Sequence, residues 1–351
     1  MDREGPPIRL TSAGADNGPF AGFAALRGAA SEIAQDAELV RIDDRALELC
    51  AAALAEEERD SQEALLEPGI WFTRTPNGAT AFALVADCIN FGSGYFPGLR
   101  KDRSNSGYKT MAAGLAAYFE ANWPFPPSRL ELLDPPAMLA ILGQAEDASA
   151  EARELAEMMA VALTGLGVHL RNEFGDSFET FFARTAGEPS GLVEELYALD
   201  AYRDGYLWKG IRFQPAKKAQ ITVSDLSLVR NHFARLEGLP VAEAAPAAGP
   251  VLLTAFADNS VPQVLEADGI LGYRQDLAQL IASGVELEYG SQAEIEIRAC
   301  TITAVERLSG ALGGALPPAG IDALLWNRKH DPAREDHYRA RPSHKTRSLF
   351  Y

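Results

Sequence analysis

Apolar positions recur every three to four residues over most of this chain, and strict alternation is confined to two short stretches. The helical period predicts helices over residues 44–67, 79–91, 108–121, 136–142, 150–173, 190–200, 216–236, 275–282, 291–312 and 321–329, with another opening at Val261. Residues 70–75 look strand-like, and 206–213 alternate around Lys209-Gly210 as a small hairpin. Residues 1–35, rich in Gly, Ala and Pro, read as an irregular lead-in. Residues 36–351 read as one two-lobed helical domain, with the Ala/Pro-rich stretch at about 238–250 as its linker. No strand–helix repeat appears, which disfavours a parallel-sheet nucleotide fold. The fold class is mainly α, with a few short strands.

Composition narrows the function. The 351 residues carry a formal net charge of −17, which opposes a long polyanion, since nucleic-acid affinity comes from releasing counterions through Lys and Arg. A small-molecule substrate is favoured, and no stable nucleic-acid complex is expected. No apolar run reaches the 18 residues of a membrane span, and residues 1–7 lack the charged-then-apolar layout of a signal peptide. Cys50, Cys88 and Cys300 are widely spaced, which suits a reducing cytoplasm and forms no metal knuckle. His330, His337 and His344 recur every seven residues, but Pro332 and Pro342 break any helix that would align them. No metal and no cofactor are implied.

The most informative segment is Phe256-Ala257-Asp258-Asn259-Ser260-Val261-Pro262-Gln263-Val264-Leu265. Asp258 stands at the mouth of a helix with Pro262 in its first turn, beside unpaired backbone N–H groups that favour an anion. Such an Asp is ordinarily an N-cap; it also suits a reaction that develops positive charge, such as N-glycoside cleavage.

This segment resembles the Phe-Ala-Asp-x-x-Val/Ile-Pro-Gln-Val-Leu signature of the queuosine salvage family, the queuosine 5′-phosphate N-glycosylases. Further resemblances follow in order: Asp87-Cys88-Ile89-Asn90-Phe91; Lys217-Lys218-Ala219-Gln220-Ile221; Glu294-Ile295-Glu296-Ile297-Arg298-Ala299-Cys300; Asp322-Ala323-Leu324-Leu325-Trp326-Asn327; and Lys345-Thr346-Arg347-Ser348-Leu349-Phe350-Tyr351. They run from about residue 80 to the last residue. The resemblance implies a hydrolase that frees queuine from queuosine 5′-phosphate for tRNA queuosine salvage. By layout alone, the helix, short connection, helix and then carboxylate resemble the helix–hairpin–helix DNA glycosylases, with Lys217 at the Lys position of the hairpin's second helix.

On that reading Asp258 is the catalytic carboxylate and Phe256, two residues before it, stacks on the base. Asp322 accepts from N1–H and the 2-amino group of a guanine-like ring, and Trp326 stacks. Asn327 stands where the family usually has Asp. Asn90 and Phe91 are binding candidates, with Tyr95 as a substitute for a family Trp in a glycine-bearing loop at 92–97. Lys217, Lys218, the cluster Arg100-Lys101-Asp102-Arg103 and the basic stretch 339–347 are candidates for the phosphate. Capping, core and solvated-surface roles are open to all of these residues. Two rival functions stay open: a nucleic-acid base glycosylase using the same Asp, and a non-catalytic queuine-binding protein.

Overall fold

The computed structural model describes residues 16, 18–56, 66–101, 106–185, 189–238, 252–331 and 333–351. The expected linker at 238–250, except for Gly238, lies outside them, as do Asp102, Arg103 and Pro332.

The chain is mainly helical, and its apolar core divides into two clusters. The first is built on α3 (Pro76–Cys88), α4 (Gly107–Asn122), α5 (Pro135–Ile141), α6 (Ala150–Phe174), α7 (Phe178–Thr185), α8 (Pro189–Tyr197) and α9 (Lys217–Leu236). Helix α3 is buried from Gly78 to Cys88, because α4, α6, α7 and α9 all pack on it. Its start is set by Pro76 in the first turn and by the Thr75 hydroxyl, which accepts from the Gly78 N–H. Ser149 caps α6 in the same way, and Gly175 closes it in the left-handed conformation at φ 63°. Caps of this kind contribute about 1 kcal/mol each.

The second cluster draws on both ends of the chain. It joins α1 (Phe23–Gln35), β1 (Val40–Ile42) and α2 (Asp44–Glu56) to α10 (Ser260–Ala267), β4 (Leu271–Tyr273), α11 (Gln275–Ala282), α12 (Gln292–Ala311) and α13 (Pro318–Lys329). The short α14 (Glu335–Arg339) rests on α10. Strand β1 pairs antiparallel with β4, Arg41 opposite Gly272. The expected hairpin is present as β2 (Tyr206–Trp208) and β3 (Ile211–Phe213).

The lead-in expectation for 1–35 needs correction at 23–35, which are helical. Phe23, Leu26, Ala29, Ala30 and Ile33 are buried and face α12. The interior Gly28 costs the helix about 1 kcal/mol relative to Ala, and burial against α12 outweighs it. The strand-like reading of 70–75 is also corrected: one isolated bridge, Pro68 to Trp71, is all the pairing it makes. The β1–β4 pair escaped the sequence because three-residue strands far apart in the chain show no usable alternation.

Candidate active site

The two clusters meet along a cleft of about 810 Å³, within the size range of small-molecule sites. Eight of the residues expected at a site line it: Asp258, Phe256, Asp322 and Trp326, then Asn327, Asn90, Phe91 and Lys217.

Asp258 is placed by the extended segment that runs between the clusters. Ala255 and Ala257 belong to one cluster, while Phe256 packs on the other. With side chains alternating, Phe256 and Asp258 both reach the cleft. Asp258 Oδ1 accepts from the Ser260 N–H at 2.6 Å and the Val261 N–H at 3.4 Å. Both donors fall on one oxygen, which leaves Oδ2 for a reacting centre.

Asp322 lies four residues before Trp326 on α13 and is buried. Its Oδ1 accepts from the Phe256 N–H at 2.8 Å, so it also pins the segment that carries Asp258. Burial, and then the charge of Asp258, push its carboxyl up to about 8. The neutral acid is therefore favoured at pH 7, where Asp322 can donate as well as accept.

Lys217 is buried, and its Nζ donates to the Asn90 carbonyl at 3.1 Å. Burial pulls its pKa down, opposed first by the charge of Asp258. Ala216, just before it, has φ 48° and ψ 39°, a left-handed conformation that is costly for a residue with a Cβ. Strain there is tolerated where surroundings over-determine the turn: the Ala216 N–H donates to the Asp204 carbonyl and the Lys217 N–H to Asp204 Oδ2.

The remaining motif residues frame the cleft. Gln220 clamps Thr254, accepting from its N–H at 2.8 Å and donating to its hydroxyl at 2.9 Å. Lys218 donates to the Cys88 carbonyl at 2.7 Å with its ammonium over the Phe91 and Tyr202 rings. It supports the wall and does not line the cleft. Phe91 is only 1% exposed, so most of its ring serves the core.

Beneath the floor, Arg298 is fully buried and makes a bidentate pair with Asp204 at 2.7 and 2.6 Å. Its Nε donates to the Ala257 carbonyl at 2.8 Å, and Glu294 lies 3.5 Å away. Glu294 in turn accepts from the hydroxyls of Tyr206 at 2.5 Å and Tyr351 at 2.8 Å. One guanidinium thus fixes the backbone of the Asp258 segment, the turn into α9 and the Tyr351 ring. Glu296 serves elsewhere, accepting from the Leu39 N–H at 2.7 Å.

Some expectations move. Tyr95 faces Glu154, donating at 3.0 Å, with Arg347 over its ring. It does not line the cleft; Ser93, Phe96 and Pro97 do. The glycine-bearing loop is held against the C-terminal segment: Gly92, at φ 114°, donates to the Tyr351 carbonyl at 3.3 Å. A Cβ on Gly94 would come within 2.8 Å of the Thr346 carbonyl oxygen. Gly94→Ala is expected to lower stability by about 1–3 kcal/mol, read as a fall in the thermal unfolding midpoint.

Of the basic stretch, Arg341 pairs with Glu266 and Arg347 with Glu286 and Glu154. Lys101, Arg339 and Lys345 reach the cleft. The histidines lie in separate surroundings. His330 rests on Trp326, His337 meets Asp268, and His344 is buried beside Tyr351. Sequence reasoning missed Lys329, Asp225 and Tyr108 on the cleft wall. Lys329 donates to the Ser260 hydroxyl at 3.0 Å, and the charge of Asp258 acts on it. Its spacing from Asp322 and Trp326 on the same helix was the available signal.

The family model described as queuosine salvage protein matches residues 71–351. A queuosine 5′-phosphate N-glycosylase/hydrolase of Sphaerobacter thermophilus is 33% identical over 282 residues, 77% of this chain and 80% of that protein. Its namesakes in Dictyostelium discoideum and Bos taurus are 33% identical over 155 residues (43% of this chain, 44% of theirs) and 30% over 201 (54% and 56%). The chain belongs to the queuosine salvage protein family.

Proposed function

We propose that this protein hydrolyses the N-glycosidic bond of queuosine 5′-phosphate, releasing queuine and ribose 5-phosphate. The observation that carries the reading is the meeting of Asp258 and Asp322 in one cleft opposite Lys217, in a family whose relatives bear that name. Queuine is a 7-deazapurine and offers no N7 to protonate, so charge stabilisation at the sugar and donors around the ring carry the demand. As the C1′–N9 bond breaks, its electron pair goes to the base and positive charge grows on the ribose. Asp258 Oδ2 faces that charge and takes the proton of the water that adds to C1′. Neutral Asp322 supplies a proton to the departing base, whose face rests on Phe256 and Trp326, with Asn327 beside its edge. Asn90 orients Lys217, and Phe91 backs that wall.

Lys217, Lys329, Lys101, Arg339 and Lys345 supply the cationic rim for the 5′-phosphate. The layout of hairpin, α9 beginning at Lys217, and then Asp258 at the mouth of α10 supports a relation to the helix–hairpin–helix DNA glycosylases. The net charge of −17 supports a free nucleotide over a duplex. Buried Cys50, Cys88 and Cys300, none of them in a disulfide, support a reducing, cytoplasmic setting, and no described helix is long and apolar enough to cross a membrane.

The experiment is mass-spectrometric detection of queuine after incubation with queuosine 5′-phosphate, with the unphosphorylated nucleoside alongside. Silence on both from folded protein overturns the reading. The pH profile tests Asp322. Its carboxyl is raised, so the protonated form is present below about 8 and is lost above it. We expect kcat/KM to fall as pH rises through about 8, and Asp322→Asn to lose that limb. An unchanged limb in the variant removes Asp322 from the proton transfers.

A further inference from the structure

The cleft holds a second charged centre, away from Asp258. The stripe of α9 that lines it contains Lys217, Ile221, Ser224, Asp225 and Leu228, the spacing of one helix face. At 1.5 Å rise per residue, Asp225 stands about 12 Å beyond Lys217 along the axis. The charge of Asp258 acts on Lys217, Asp322, Lys329 and His330. That of Asp225 acts on Asp87 and Tyr108, and the charge of Lys217 acts on both acids.

Asp87, on α3, is 1% exposed and is not among the residues that line the cleft. Its side chain contacts Thr222 and Asn90, yet Oδ2 has no hydrogen-bond partner. A carboxyl oxygen at that depth needs a proton or a cation to satisfy it. Burial raises both groups, Asp225 to about 7 and Asp87 well above its usual range, where the charge of Asp225 adds to the effect. A proton can satisfy such a pair, and an ammonium group can take that proton's place.

We propose that Asp87 and Asp225, with the Tyr108 hydroxyl, form a subsite for an organic ammonium carried on the substrate's base, the secondary amine of the queuine side chain. The inference rests on the hydrolase reading above. Tyr108 meets Trp326 edge-to-face at 6.4 Å, so the subsite adjoins the aromatic assigned to the base. Among the described residues, the other titratable groups around the pair are Lys217 and Lys218 of α9, Cys88 of α3, and Tyr202. Both lysines donate to backbone carbonyls, of Asn90 and Cys88, while the charge of Lys217 acts on both acids.

The test is calorimetric binding of queuine and of 7-deazaguanine, which lacks the side chain, to wild type and Asp225→Asn. Loss of a charged hydrogen-bond partner should weaken queuine about tenfold and 7-deazaguanine less than about twofold. An equal effect on both ligands, or on neither, overturns the subsite. Asp225→Ser repeats the comparison if Asp225→Asn does not fold. Turnover of queuosine 5′-phosphate by wild type, measured in parallel, reports on the hydrolase reading alone. Turnover with unchanged queuine affinity in the variant sinks the subsite and leaves the hydrolase standing; selective loss of queuine binding without wild-type turnover does the reverse.

Discussion

Asp258→Asn is expected to lower the rate of queuine release by about 10³-fold or more, the scale of removing a principal electrostatic stabiliser from a reaction centre. The geometry makes the substitution informative. Oδ1 is already committed to the Ser260 and Val261 N–H groups, and the amide oxygen of Asn can keep that cap. The variant therefore retains its fold and loses the negative charge, so its unfolding midpoint should stay near that of wild type. Single-turnover release at saturating queuosine 5′-phosphate is the measurement, because it separates chemistry from binding. A variant that cleaves within about tenfold of wild type would leave Asp258 as a helix cap and nothing more.

Arg298→Met is expected to cost about 3–5 kcal/mol of stability, the range found when one partner of a buried ion pair is removed. Asp204 and Glu294 would then be stranded, both buried, with the guanidinium that satisfied them gone. The loss should fall on both walls of the cleft, since Asp204 anchors the start of α9 and Ala257 precedes Asp258. Urea unfolding measures it. Midpoints that coincide with wild type would show that the pair contributes nothing net, as some buried ion pairs do once their desolvation cost is counted.

Much of the site was legible in the sequence because the motifs carry both chemistry and framework. Asp258, Phe256, Asp322, Trp326 and Lys217 were placed from motif and spacing, and they share one cleft. Arg298 meets Glu294, four residues before it on the same helix, but its stronger pairing, with Asp204, joins residues 94 apart, and no local pattern reveals that. Asp225 was invisible for a similar reason: an acid on an amphipathic helix looks like solvated surface until its charge is found to act on buried Asp87. Helix α1 carried the right periodicity at Phe23, Leu26, Ala29 and Ile33. Its glycine and alanine content hid it, since such residues bury well against α12 and yet read as irregular in isolation.

The second apolar cluster has a bearing on how the protein is made. Its residues come from positions 26–54 and from positions 206 onward, with most of them beyond 255, and β1 pairs with β4. At a synthesis rate of about 5–20 residues per second, roughly 10–40 s separate the emergence of α2 from that of Asp258. During that interval α1 and α2 lack α12, the helix on which both pack, while α3 to α9 already have one another. Asp258 and the partners that bury the amino-terminal helices thus arrive together, late. A ribosome stalled before α10 would hold a folded first half and a sticky, unfinished second one, a natural client for a chaperone.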